Sequence, residues 1–311
     1  MSSDLIQAIR AQSKLSISQA ISLIENQSDS ASKLLSNIFK YTGHAYRLGI
    51  TGPPGAGKSS ITDNLISAFR KEDKTVAVIA VDPTSPFSGG AVLGDRIRMT
   101  THHSDPNVFI RSMATRGSLG GLAMRTEEVG EIFDAARFDI IIYETVGVGQ
   151  IEVDIMETAD SVMVVLMPES GDEVQMLKAG LMEIGNIFAI NKADRPGSNK
   201  LMITLQNLLS TLTYGENIWQ PEVMQTIATQ GKGIDDLMKS IHSHKKFNTD
   251  KGIQRQKYED RYKRRVNTLI NDKFQQKFWD KTKTKLLNTE IEKGQKDKMS
   301  PYKLAKKLLE I

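Results

Sequence analysis

The segment Gly52-Pro53-Pro54-Gly55-Ala56-Gly57-Lys58-Ser59-Ser60 combines the residue types needed to hold a triphosphate. Its glycines let successive backbone N–H groups turn inward around phosphate oxygens. A helix starting at the end of the segment adds its positive N-terminal end. Lys58 is placed to reach the β- and γ-phosphates, and the Ser59 hydroxyl to ligate Mg²⁺. An apolar strand-like run, Tyr46 to Thr51, precedes the segment, and a helical run, Ile61 to Arg70, follows it. A chance glycine-rich turn has no reason to carry both flanks, so the spacing points to a phosphate loop.

A second group, Asn191-Lys192-Ala193-Asp194, ends a later apolar run. The Asp194 carboxylate can accept from both the guanine N1–H and the exocyclic amine, a donor pair that adenine lacks. Thr226-Ile227-Ala228 ends the next strand-like run, where the Ala228 backbone N–H can meet the guanine carbonyl oxygen. Four residues alone would also suit an ordinary polar loop; pairing with the phosphate loop favours GTP and GDP as ligands over ATP.

Between these groups lies Glu144-Thr145-Val146-Gly147, after the run Phe138 to Tyr143. An acid at a strand end facing the phosphate loop can hold a Mg²⁺-bound water, and the Gly147 N–H can sense the γ-phosphate. Small regulatory GTPases carry a glutamine directly after that glycine, whereas Val148 stands here and cannot orient water. Either Gln150 does so or another group swings in, and slow intrinsic turnover that a partner accelerates is the expectation. Asp82, before a proline-broken turn, and Asp95 are further magnesium-site acids, although a loop cap would equally explain Asp95. Arg98 can neutralise transition-state charge. The pairs His102-His103 and His242-x-His244 have no cysteine or acidic framework around them and read as surface loops.

Short β-rich runs must position these residues: 46–52, 75–82, 108–112, 138–145, 161–168, 186–194 and 223–229. They alternate with helical segments, and several are apolar on both faces, as in parallel strands covered on two sides. The pattern predicts an α/β fold, a P-loop NTPase with a doubly wound, mainly parallel sheet whose ligands sit at the carboxyl ends of the strands. Residues 1–43 read as an N-terminal helical extension, 44–245 as the nucleotide-binding domain, and 246–311 as a charged C-terminal helical arm. Asn26 to Ser32 is a polar break suited to cap a helix, and Ser300-Pro301 looks like an N-cap followed by a first-turn proline.

The 311 residues, 25% charged and 39% hydrophobic, suit a globular protein. There is no cysteine, which removes disulfides, thiolate metal sites and cysteine nucleophiles. The start lacks a secretory pattern and the apolar runs are of strand length, so the expectation is a soluble, cytoplasmic protein. Net charge is +4, with 14 Lys/Arg against 5 Asp/Glu concentrated in residues 245–285. That stretch could contact an acidic partner or nucleic acid, but no nucleic-acid motif accompanies it and a solvated helix face accounts for it.

Together the motifs resemble the methylmalonyl-CoA mutase-associated GTPases, the MeaB/ArgK family of P-loop GTPases. The resemblance rests on Gly49 to Ser59, Val81-Asp82-Pro83-Thr84-Ser85, Gly94-Asp95-Arg96-Ile97-Arg98-Met99 and Arg116 to Gly121. It continues through Glu144 to Gln150, Gly171 to Gln175, Asn191 to Asp194 and Ser300-Pro301-Tyr302. It implies a homodimeric GTPase whose C-terminal arm dimerises and which acts as a chaperone for an adenosylcobalamin-dependent acyl-CoA mutase. GTP binding and hydrolysis would gate cofactor loading and protect the mutase, of which methylmalonyl-CoA mutase is the first expectation. It also implies Asp82, Asp95 and Glu144 as magnesium-site acids, Arg98 and Gln150 in switch segments, and Lys178 as a lysine moving towards the nucleotide. Ile151 and Glu169-Ser170 depart from the family pattern in the segments assigned to switching.

Two other functions share parts of this pattern. A nickel-delivery GTPase has the same motif order but needs thiolate or clustered histidine ligands, and an RNA-associated GTPase would use the basic stretch. None of the five histidines has an Asp two residues before it, so the chain lacks the Asp-x-His-x-x-Gly signature of cobalamin binding.

Overall fold

A computed structural model describes residues 3–26, 28–82, 101–102, 104–114, 119–145, 156–168, 181–211, 215, 218–295 and 297–310. The chain divides into two compact units, Met1–Gln256 and Lys257–Ile311.

In the first unit, seven strands form one sheet: β1 (Tyr46–Thr51), β2 (Val76–Asp82), β3 (Val108–Ala114), β4 (Ile140–Thr145), β5 (Ser161–Leu166), β6 (Ile187–Ile190) and β7 (Glu222–Gln225). Their order is β3-β2-β4-β1-β5-β6-β7, and each neighbouring pair is parallel. The chain therefore winds outwards in both directions from β1, and the crevice beyond its carboxyl end lies at the switch point where open parallel sheets bind ligands.

Strand residues alternate between two helical layers. On one face Leu48, Ile50, Ile142, Met163 and Val165 pack with Ile61, Leu65 and Phe69 of α4 (Lys58–Lys71) and Leu237 and Ile241 of α7 (Ile234–Asp250). On the other, Ile79, Ile141, Tyr143 and Val164 pack with Val129, Ile132 and Phe133 of α5 (Leu119–Ala135). That face also takes α6 (Ser198–Thr211), through Leu201, Leu205 and Leu209. Burial on both faces is why the runs read as continuously apolar.

The N-terminal helices, α1 (Ser3–Arg10), α2 (Lys14–Glu25) and α3 (Asp29–Ile38), join the second face. Ile17, Ala20, Ile21 and Ile24 of α2 and Leu34 and Ile38 of α3 enter the same core as α5. Ser28 within the polar break accepts the Ser30 N–H and so caps α3. Beyond α3 the Asp134 carboxylate, 1% exposed, accepts the N–H groups of Gly43, His44 and Ala45 and pairs with Arg47 at 3.5 Å. One buried acid thus satisfies the three amides that lead into β1.

β5 ends two residues short of its expected run, and two further strands end four residues short. The run 186–194 leaves the sheet after Ile190, because Lys192 takes the left-handed backbone conformation (φ 58°). The run 223–229 ends at Gln225 and passes into a 3-10 turn at Ala228–Gln230. In both places the residues that leave the ladder are the ones carrying the polar motif.

The C-terminal helices are α8 (Ile253–Phe278), α9 (Lys281–Glu292) and α10 (Pro301–Glu310). Residues 245 and 246, at the predicted domain boundary, lie within α7. Asp280 caps α9 by accepting the Lys283 N–H at 2.8 Å, and Ser300 accepts the Lys303 N–H ahead of α10, whose first residue is Pro301. Glu290 accepts from Lys293 Nζ at 2.7 Å and from the Met299 N–H. Among the described residues no helix is long and apolar enough to cross a membrane.

Candidate functional site

The loop between β1 and α4 is built by glycines that nothing else could replace. Gly52 has φ 144°, and a Cβ there would lie 2.1 Å from the Val165 carbonyl oxygen. Gly57, φ 92°, caps α4 in the left-handed region, and its Cβ would meet Asn191 Nδ2 at 2.2 Å. The loop consequently lies tight against β5 and the end of β6, with the first N–H groups of α4 facing out.

Lys58, the first residue of α4, is 7% exposed and reaches back over the loop, donating to Gly52 O at 2.8 Å and Pro53 O at 2.9 Å. Its ammonium is thereby held above the cradle. Ser59 Oγ donates to Glu144 Oε1 at 2.6 Å, and both residues are buried. The hydroxyl comes from the first turn of α4 and the carboxylate from β4, the strand beside β1, so the fold brings together two hard oxygen donors 85 residues apart. Behind them Thr145 Oγ1 donates to Thr51 Oγ1 at 3.0 Å, tying the ends of the two strands.

Asn191 ties the phosphate loop to the other end of the site. Its Nδ2 donates to Ala56 O at 2.8 Å, while its Oδ1 accepts from the Ala228 N–H at 3.1 Å and Thr226 Oγ1 at 3.2 Å. The Ala228 N–H therefore points at Asn191 in this arrangement, and the Ala228 carbonyl accepts from Asn64 Nδ2 at 2.9 Å. Asp194 is exposed at the rim, and Lys192 Nζ lies 3.6 Å from Met167 Sδ.

One cleft of about 460 Å³ runs across both ends. Pro54, Gly55, Gly57, Lys58, Ser59 and Ser60 line it on one side, with Glu144 at its floor, and Asn191, Lys192, Asp194 and Ala228 line the other. Gly52 and Ala56 shape the loop behind that wall. Such a cleft offers what a nucleotide requires, an anion cradle on one side and a carboxylate on the other.

Of the remaining expected residues, Arg98, Asp95, Gly147, Gln150 and Lys178 lie outside the described residues, and Asp82 is described only as the last residue of β2. The sequence did not single out Asn64, Thr51 or Arg195, which also serve or line the site. Asn64 sits on a helix, and its only local signal is that asparagine is a poor helix former.

Of the histidines expected in surface loops, His103 lies outside the described residues. His102, in a 3-10 turn, is 3.0 Å from the Asp63 carboxylate, and His242 on α7 is 2.9 Å from that of Glu72. His244, also on α7, is 2% exposed, hydrogen-bonded to Ser161 and in edge contact with Trp219. No group of three His, Asp or Glu able to hold a metal occurs among the described residues.

A family model described as methylmalonyl Co-A mutase-associated GTPase MeaB matches residues 17–283. A protein of Pyrococcus horikoshii, provisionally named a GTPase, is 49% identical over 269 residues, 86% of this chain and 85% of its own. GTPase ArgK of Escherichia coli is 35% identical over 254 residues, 79% of this chain and 77% of its own. A crystal structure described as an LAO/AO transport system kinase superposes with a TM-score of 0.75 at 25% identity, covering 99% of this chain and 96% of that one.

Proposed function

The chain belongs to the methylmalonyl-CoA mutase-associated GTPases, the MeaB family, and from that premise we propose that its GTPase cycle serves an adenosylcobalamin-dependent acyl-CoA mutase. It acts as a chaperone that gates cofactor loading and protects the mutase, with methylmalonyl-CoA mutase the foremost client. The observation that carries this reading is the extent of the family match. It spans residues 17–283, from the N-terminal helices past the nucleotide-binding core and through the whole of α8. A generic GTPase fold would account for the core alone.

In this reading the loop amides from Gly52 to Ser60 and the Lys58 ammonium hold the phosphates. Asp194 accepts the guanine N1–H and amine, and the Ala228 N–H, turning from Asn191, meets the carbonyl oxygen. Ser59 Oγ and the Glu144 carboxylate, buried 2.6 Å apart, suit a small hard cation that prefers oxygen. They, with Asp82 and Asp95, would hold Mg²⁺, which when bound neutralises charge on the β- and γ-phosphate oxygens. Gln150, Arg98 and Lys178 are assigned to the nucleotide-responsive segments from the resemblance, and the Gly147 N–H to the γ-phosphate from its place after Glu144 in the sequence.

Residues 1–43 are read as the helical extension, 44–245 as the GTPase domain and 246–311 as the arm of a homodimer. An exposed apolar row on α8 (Tyr262, Val266, Leu269, Ile270 and Phe274) recurs at helical spacing and supports self-association through that arm. Absence of cysteine fits a cytoplasmic setting.

A nucleotide-driven chaperone requires different affinities for its partner in the GTP and GDP states. Capture from native lysate with a non-hydrolysable GTP analogue, repeated with GDP, measures that difference. Recovery of a cobalamin-dependent mutase in one state well above the other is the expected result. Equal recovery in both states, or recovery of ribosomes instead, contradicts the proposal.

A further inference from the structure

Asn64 lies in the interior of α4, where asparagine costs helix stability relative to alanine. Its side chain makes two bonds that offset this cost. Nδ2 donates one hydrogen to Ser60 O at 2.7 Å, a turn earlier in α4, and the other to Ala228 O at 2.9 Å, 164 residues away. Ala228 is 5% exposed and lines the cleft opposite the phosphate loop. On its other side the Ala228 N–H donates to Asn191, whose amide is anchored on Ala56 O. Two asparagine side chains therefore grip the peptide groups on either side of Ala228, and each has its second anchor within the phosphate cradle or the helix that begins it.

We infer that Asn64 is a positioning residue for base recognition, fixing the Ala228 turn at a set distance from the phosphate-binding helix; this rests on the guanine-binding reading above. Phosphate contacts are the same for every purine nucleotide, so they hold the ligand without choosing its base. Base choice depends on whether the reading groups stand within a few tenths of an ångström of the base edge once the phosphates are seated. Asn64 holds the Ala228 carbonyl and so sets that offset from α4 even when the Ala228 N–H turns from Asn191 to the base.

The test is calorimetric binding of GDP, IDP and ADP to the wild-type chain, Asn64→Ala and Asn64→Asp. Alanine only removes atoms from a half-buried helix position and favours the helix, so that variant folds. Aspartate keeps the shape but turns an acceptor towards two carbonyls. Both variants are expected to bind GDP about 3- to 10-fold more weakly, the equivalent of one lost hydrogen bond, with ADP unchanged. The GDP-to-IDP ratio should hold at its wild-type value, since Asp194 rather than Ala228 reads the 2-amino group. Wild-type GDP-to-ADP preference in both variants overturns the inference, and so does an equal loss for GDP and ADP, which would mean general loosening of the loop. If the wild-type chain itself shows no preference for GDP over ADP, the guanine-binding reading fails, and this role falls with it.

Discussion

The two ends of the central strands both bury polar groups, yet they differ in what surrounds them. At the amino ends Tyr46 donates to Ser161, which bonds to His244, and Trp219 closes over the imidazole at 4.9 Å. Arg47 and Asp134 pair beside them, 6% and 1% exposed. Burial pushes the Tyr46 phenol above its ordinary value, an effect that its bond to Ser161 only partly opposes. For Arg47 burial acts to lower the pKa, but Tyr143, Asp134 and Asp160 together outweigh it and keep the guanidinium charged. At the carboxyl ends Lys58, Ser59, Glu144 and Asn191 are buried to a similar degree but line an open cleft of about 460 Å³. Buried polarity alone marks either a sealed structural network or a site, and the volume beside it distinguishes them.

The comparison breaks most visibly at Asp134. Replacing it with alanine leaves three amides and a buried guanidinium without their acceptor, and should cost about 3–5 kcal/mol of stability. Denaturant unfolding measures the loss, and GDP affinity of the remaining folded protein should stay within about twofold, given the distance in register from the cleft. A large change in affinity with little change in stability would reverse the roles assigned to the two ends.

Lys58→Ala should do the opposite. Losing charge-assisted bonds to phosphate, each worth about 1.5–3 kcal/mol, weakens GDP binding by about 100-fold or more. Thermal unfolding of the nucleotide-free chain should shift far less than for Asp134→Ala. Unaltered GDP affinity would remove the phosphate loop from the account.

A smaller effect belongs to the C-terminal unit. The bond from Lys293, then that from the Met299 N–H, holds the Glu290 carboxyl below its ordinary value of about 4.5, against a lesser upward push from burial. A carboxyl depressed in the folded state contributes stability that is complete above the unfolded value and fades as pH falls through the folded one. Glu290→Gln should therefore lower stability modestly near neutrality and match the wild type at strongly acidic pH. A difference that grows on acidification would show the sign to be wrong.

The legible parts of the molecule were those whose chemistry is contiguous. Gly52 to Ser60 and Asn191 to Asp194 each announce themselves within nine residues, because a backbone nest or a strand-end carboxylate is local. The central strands β1, β4, β5 and β6 were legible because both faces are buried, but not the early ends of β6 and of the half-buried edge strand β7. The expected runs extend past those ends into Asn191 to Asp194 and Thr226 to Thr229, whereas in the structure Lys192 and Ala228 turn out of the ladder to line the cleft. Asn64 and Ala228, or Tyr46, Ser161 and His244, meet only through long-range packing, across separations of 164, 115 and 83 residues. His244 in particular read as a surface residue because no local pattern tells a helix's buried face from a loop when the residue is polar.

The central claim is that the cleft chooses its base through the carboxylate at 194. Asp194→Asn offers an amide that suits xanthine, which has an oxygen where guanine has its 2-amino group, while leaving guanine only one of the two acceptors it needs and setting an NH2 group against its 2-amino group. Calorimetry with GDP and xanthosine diphosphate should therefore show GDP binding weakened about 100-fold, as for one lost bond to a charged group and a second reduced to a neutral one, and the xanthine nucleotide bound more tightly than GDP. Unchanged GDP affinity in that variant, with no gain for xanthine, would contradict the account.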